Sequence, residues 1–198
     1  MANTVFEEMA KRYDSDSRIE LANIIAKEVR QELGSNQLDS LIDYGAGTGL
    51  VGLQLVDLVE SVLLVDSSEQ MMKIAEAKIV HSGLSNVRTF VSDFTEETID
   101  LKADIILVSL VLLHIPNTDV ILKQLYTVLN DGGKLLIVDF DKEEAISHPK
   151  VHNGFVHAEL KEKLAAVGFK SSDIKTFHHG KNIFMNKDAS LFIASCIK

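Results

Sequence analysis

The residues best suited to chemistry stand close together: Asp43 lies two places ahead of Gly45-Ala46-Gly47-Thr48-Gly49, and Asp66 closes the next apolar run, Ser61 to Asp66. A glycine-rich turn after a strand lets a ligand approach the backbone, because no Cβ stands in the way. A carboxylate at the end of the following strand can accept hydrogen bonds from both hydroxyls of a ribose. Together they predict a nucleoside-binding edge. Asp66 has a plainer alternative, capping the helix that follows it.

Spacing and charge then separate two nucleoside ligands. The dinucleotide fingerprint runs G-x-G-x-x-G, whereas here the third glycine comes one place early and Leu50 stands where the fingerprint wants glycine. A dinucleotide would also bring an anionic pyrophosphate to this loop, where the charge of Asp43 is unwelcome. S-Adenosylmethionine carries an ammonium and a sulfonium and no phosphate, so an acid there suits it. An NAD-dependent oxidoreductase is the competing enzyme class; a non-catalytic S-adenosylmethionine-binding protein of the same fold is the competing non-enzyme.

Leu41-Ile42-Asp43-Tyr44-Gly45-Ala46-Gly47-Thr48-Gly49 resembles motif I of class I S-adenosylmethionine-dependent methyltransferases. Val65-Asp66-Ser67-Ser68-Glu69-Gln70-Met71-Met72 resembles their second motif, in the branch of the ubiquinone and menaquinone biosynthesis methyltransferases. The likeness continues in order through Val91-Ser92-Asp93-Phe94, Ala103-Asp104-Ile105-Ile106-Leu107-Val108-Ser109 and Leu129-Asn130-Asp131-Gly132-Gly133-Lys134-Leu135. It implies an α/β fold with a Rossmann-like seven-stranded sheet, order 3-2-1-4-5-7-6 with strand 7 antiparallel, helices on both faces and an N-terminal helical lid.

The resemblance also implies roles. Asp43 takes the methionine ammonium, and Gly45, Ala46 and Gly47 pass their backbone along the cofactor. Asp66 holds the ribose, with Ser67 and Met71 near the adenine. Asp93 accepts from the adenine amino group, beside Ser92 and the backbone of Phe94. Ser109 and Leu110 border the methyl-transfer centre. Tyr13-Asp14, after Phe6-x-x-Met9-Ala10, resembles the segment that closes over the cofactor in the quinone-biosynthesis relatives, which implies that Tyr13 covers the cofactor as a lid or lines the acceptor pocket. Each has a bland alternative: Met71 and Phe94 as core, Ser92 as a strand end, Tyr13 as a surface helix end.

A sulfonium is an activated leaving group, so in-line displacement asks the protein mainly to align the reactants and exclude water. A general base is needed only for a protonated acceptor. His114, in Leu112-Leu113-His114-Ile115-Pro116, is the candidate, against a structural hydrogen bond. His148, His152, His157, His178 and His179 crowd the last third of the chain, but Pro149 interrupts the His148-x-x-x-His152 spacing, so no metal site is expected. Neither Asn-Pro-Pro-Tyr nor Asp-Pro-Pro-Tyr follows strand four, and the lone cysteine, Cys196, stands in the last strand. Nucleobase and arsenite methylation are thereby disfavoured, leaving an O, N or C nucleophile on a small molecule.

The elements that must position these residues alternate short β-type runs with helical periods, the pattern of a parallel sheet under helices. Strands are expected over Leu38–Tyr44, Ser61–Asp66, Val87–Ser92, Ala103–Leu110 and Lys134–Phe140. Helices are expected over Val5–Arg12, Ser17–Leu33, Gly49–Val59, Glu69–His81, Thr118–Leu129 and His157–Ala166. Asn130-Asp131-Gly132-Gly133 reads as a turn. Ser172–Phe177 and Ala189–Ile197 read as a closing antiparallel hairpin joined by a loop.

At 198 residues and 46% hydrophobic content the chain suits one domain: a helical cap at 1–36, a cofactor-binding core at 37–140 and an acceptor-side segment at 141–198. The net charge of −9 argues against a phosphate-tracking surface. Ile105 to Ile115 is too short to span a bilayer, which takes about 20 apolar residues. With no signal-like N-terminus and one cysteine, a cytoplasmic protein is expected.

Overall fold

The structure is a computed structural model and describes residues 10–34, 38–95, 100–146, 148–149 and 151–198. Seven strands form one sheet in the order β3-β2-β1-β4-β5-β7-β6, the predicted order. The chain divides into two compact units, Met1–Glu97 and Thr98–Lys198.

In the first unit, β1 (Leu38–Tyr44), β2 (Val59–Asp66) and β3 (Val87–Val91) run parallel. Register pairs Asp43 with Leu64 and Asp66 with Val91, so the acids share the carboxyl edge. Helix α1 (Asp16–Leu33) buries Ile25, Ala26, Val29 and Leu33, one stripe at helical spacing. It starts at Ser15 in an extended conformation and stops at Gly34, whose φ is 72°. Helix α2 (Glu69–His81) spans the expected residues, burying Met71, Met72, Ala75 and Ile79. The Ser68 hydroxyl caps it, accepting from the Met71 amide at 3.2 Å.

The helix expected over Gly49–Val59 does not form; one 3-10 turn, Gly52–Gln54, takes its place and β2 begins at Val59. Side chains claim the carbonyls a helix would use. The Gln54 carbonyl accepts from Arg30 at 2.7 Å and that of Val56 from Asn86 at 2.9 Å. Of the helix expected over Val5–Arg12, Ala10–Arg12 form a 3-10 turn and Val5 to Met9 lie outside the described residues.

In the second unit, β4 (Ala103–Ser109) and β5 (Leu129–Phe140) are parallel, while β7 (Lys187–Ile197) pairs antiparallel with both β5 and β6 (Ser171–Phe184). Ile105 to Val108 and Leu135 to Val138 are 0–1% exposed, as the apolar runs require of strands covered on both faces. Helices α3 (Thr118–Val128) and α4 (His157–Val167) supply Ile121, Leu122, Leu125, Leu160 and Leu164 to the core. Cys196 is fully buried in β7 opposite Leu135.

Two expectations are corrected here. Residues 130–133 are not a free turn: β5 advances from Leu129 to Lys134 while β4 advances from Ala103 to Ile105, so the extra residues bulge within the ladder. The bulge is tied down where Gly132 donates to the Lys198 carbonyl and Lys198 to that of Gly133. The closing hairpin is also longer than expected, because its strands continue to a two-residue turn, Met185-Asn186, with φ of 51° and 60°. Such a turn suits the right-handed twist of a hairpin.

Candidate functional site

Three glycines of the first loop sit in the left-handed region, Gly45 at φ 74°, Gly47 at 55° and Gly49 at 79°, a conformation that strains residues with a Cβ. The amides of Gly45 and Ala46 both donate to the Val65 carbonyl, at 2.8 and 2.9 Å, fastening the loop to the end of β2. The Gly47 amide donates to Asp66 Oδ2 at 2.8 Å, and Asp66 Oδ1 accepts from the Ser68 amide at 2.8 Å. Asp66 thus orders both the loop and the entry to α2. Its helix-entry role is real, and it accompanies the position expected of a ribose-binding acid.

Asp43 lies beneath the loop, 1% exposed. Oδ2 accepts from the Gly52 amide at 3.0 Å, while Oδ1 has no hydrogen-bond partner among the described residues. Burial pushes its pKa up to about 7, opposed by the Gly52 bond and assisted by the nearby charge of Asp66. Gly52 escaped sequence reasoning, and it matters: a Cβ there would stand 2.5 Å from Asp43 Oδ2. A buried acceptor without a donor is costly, and a ligand ammonium is the donor that would satisfy it. The unpartnered acceptor fits S-adenosylmethionine on that ground.

Asp93 Oδ1 accepts from Tyr44 Oη at 3.3 Å, the Thr95 amide at 2.9 Å and Thr95 Oγ1 at 2.7 Å. Burial, then the Asp93 charge, raises the Tyr44 pKa, so the phenol remains a donor. The Phe94 ring packs against Tyr44 with centroids 4.6 Å apart and planes tilted by 33°. Met71 and Phe94 are 1% and 0% exposed and offer no side-chain surface to a ligand in this state. Ser67 is half-buried beside Asp66, and Ser92 is buried, its amide donating to the Asp66 carbonyl at 3.1 Å.

Tyr13 lies against the loop: a Cβ on Gly47 would meet its ring at 3.4 Å. The Arg18 guanidinium stands 4.4 Å from the ring centroid and donates to the Tyr13 carbonyl at 3.1 Å. The first unit therefore gathers Tyr13, Asp43, Gly45, Ala46, Gly47, Asp66, Ser67 and Asp93 around one loop edge.

In the second unit, Ser109 ends β4 and Leu110 follows at φ 56°, its amide bound to the Val138 carbonyl at 2.8 Å. A leucine in the left-handed region is strained. Next comes the 3-10 turn Leu112–His114. Asp139, unnoticed in the sequence, is fully buried beneath that turn, accepting from the Leu113 amide at 3.2 Å and its neighbour Phe140 at 2.8 Å. Burial raises its pKa to about 7 against these bonds.

Burial and the nearby His148 lower the His114 pKa, favouring the neutral imidazole. His152 braces the same turn: its amide donates to the Leu113 carbonyl at 2.8 Å, and Nε2 lies 2.8 Å from the Ile115 carbonyl. His157 pairs with Asp141 at 2.6 Å, and His179 with Ser190 at 2.7 Å. A cavity of about 350 Å³ opens beside Thr118, Lys142, His152, Phe155 and Lys163, small-molecule size.

A family described as "Methyltransferase domain" matches residues 35–187. A ubiquinone/menaquinone biosynthesis C-methyltransferase, UbiE, from Agrobacterium fabrum is 28% identical over 153 residues, covering 72% of this chain and 59% of that protein. The chain thus spans less than two thirds of that relative's length. A SAM-dependent methyltransferase from Aquifex aeolicus superposes with a TM-score of 0.71 at 22% identity, over 96% of this chain and 97% of that one. A Haemonchus contortus phosphoethanolamine N-methyltransferase 2, in complex with phosphomonomethylethanolamine and S-adenosylhomocysteine, superposes at 0.73 and 15% identity, over 87% and 52%. The chain belongs to the methyltransferase-domain family.

Proposed function

We propose that this protein transfers the methyl group of S-adenosylmethionine to an O, N or C nucleophile of a small molecule. The observation that carries the proposal is the unpartnered Oδ1 of buried Asp43 beneath a three-glycine loop. Bound there, the cofactor would supply a methyl group on a sulfonium leaving group. Asp43 would receive its ammonium, the Gly45 to Gly47 backbone would lie along it, and Asp66 beside Ser67 would hold the ribose. Asp93 would accept from the adenine amino group. Tyr13 would cover the loop and exclude water. Ser109 and Leu110 are assigned to the transfer side, and His114, kept neutral by burial, to the acceptor as base or contact. Met71, Ser92 and Phe94 would support this edge from behind.

Support for the acceptor class comes from relatives whose names point to small molecules, a ubiquinone/menaquinone biosynthesis C-methyltransferase and a phosphoethanolamine N-methyltransferase. The two units are read as one methyltransferase domain. No described helix is long and apolar enough to cross a membrane, and a cytoplasmic site of action belongs to the proposal. Calorimetry with S-adenosylmethionine, S-adenosylhomocysteine and NAD is the test. Binding of the first two without NAD is expected; tight NAD binding with silence towards the others overturns the proposal. Release of S-adenosylhomocysteine across a metabolite panel then identifies the acceptor and separates an enzyme from a binding protein.

A further inference from the structure

We propose that Asp14, Thr48 and Lys78 form a latch that positions Tyr13 over the glycine loop and so governs how slowly a bound nucleoside cofactor leaves. The inference rests on the cofactor assignment above and adds residues that assignment does not use.

Three segments meet at this point. Asp14 follows the lid tyrosine, Thr48 lies inside the loop, and Lys78 projects from α2. Thr48 is fully buried, and its hydroxyl donates to Asp14 Oδ1. Lys78 Nζ lies 2.7 Å from Asp14 Oδ2 and donates to the Thr48 carbonyl at 2.9 Å. The contacts close a triangle: lid turn to loop, loop to helix, helix to lid turn.

A chance surface ion pair would explain the Lys78–Asp14 contact alone. It would not explain the buried hydroxyl aimed at the same carboxylate, nor an ammonium shared between Asp14 and the loop backbone. Both side chains of the ion pair are 29% exposed, so water screens them less than an exposed pair, and charge-assisted bonds of this kind hold geometry well. Arg18 secures Tyr13 from the other side, over its ring and at its carbonyl. The ring therefore rests on Gly47 because its neighbour is fastened to the residue after Gly47. Opening the lid means breaking the triangle.

The test is stopped-flow release of S-adenosylhomocysteine from the full chain carrying Lys78→Met, Thr48→Val, both changes together, or Lys78→Arg. Release should quicken about tenfold in either single variant, the loss expected of one charge-assisted contact, and association should quicken too, because the same contacts close the lid in the ligand-free protein. The double variant should release no faster than the faster single one, because the contacts act as a unit. Lys78→Arg should restore slow release. In the ligand-free protein, amide exchange at residues 12–15 should rise in Lys78→Met while the melting temperature stays put.

Unchanged release in folded Lys78→Met, or effects that multiply in the double variant, overturns the latch with the cofactor assignment intact. Wild-type protein that binds no S-adenosylhomocysteine overturns both.

Discussion

Asp43 is a carboxylate held where a carboxylate is expensive. One oxygen has the Gly52 amide, the other has nothing among the described residues, and burial holds the group near a pKa of about 7. A cation placed against it should drive ionisation, because an opposite charge favours the charged form. Cofactor binding near pH 6 should therefore expel up to one proton per site. Calorimetry in buffers of different ionisation heats reads this directly, and a heat independent of buffer would remove Asp43 from the role. Affinity should also fall about tenfold per unit below pH 7, a dependence that Asp43→Asn should abolish. The sequence displayed the acid and the glycines because their spacing is local. It hid Gly52 as the acid's partner, because that contact depends on a helix failing to form. It hid Asp139 for a similar reason: nothing in an apolar run marks which turn a carboxylate within it will sit beneath.

At the scale of elements, periodicity gave α1 and α2 nearly to the residue, since each buries a stripe at helical spacing, while the strand order followed from the resemblance. It failed over Gly49–Val59, where Arg30 and Asn86, distant in sequence, take the carbonyls. The hairpin tip failed for a chemical reason. A two-residue turn with both φ values positive favours Asn-Gly, and this chain places Met185-Asn186 there. The exposed methionine bears the strain of the left-handed region. Replacing the pair by Asn-Gly should stabilise the protein by about 1 kcal/mol. Urea unfolding would measure it, and an unmoved midpoint would mean that the neighbouring bulge at Gly180–Phe184 already absorbs the strain.

At the scale of the molecule the two fully buried acids among the described residues, Asp43 and Asp139, share one sign. Each has a folded pKa of about 7 against an ordinary 3.8, so the folded chain binds protons more tightly than the unfolded one between those values. Their joint contribution to stability is therefore favourable at low pH and declines as pH rises through that window. Thermal melts of the ligand-free protein should show this fall from pH 5 to 8. Saturating cofactor should raise the melting temperature more at pH 8 than at pH 5, since it partners one of the two acids only when that acid is ionised. Equal cofactor shifts at both values would contradict the linkage. Cys196 is governed by a different arithmetic. With its thiol pushed up to about 11 and its sulfur sealed between paired strands, a modifying reagent must wait for the ladder to part. The molecule's one thiol is in effect a clock on the opening of its sheet.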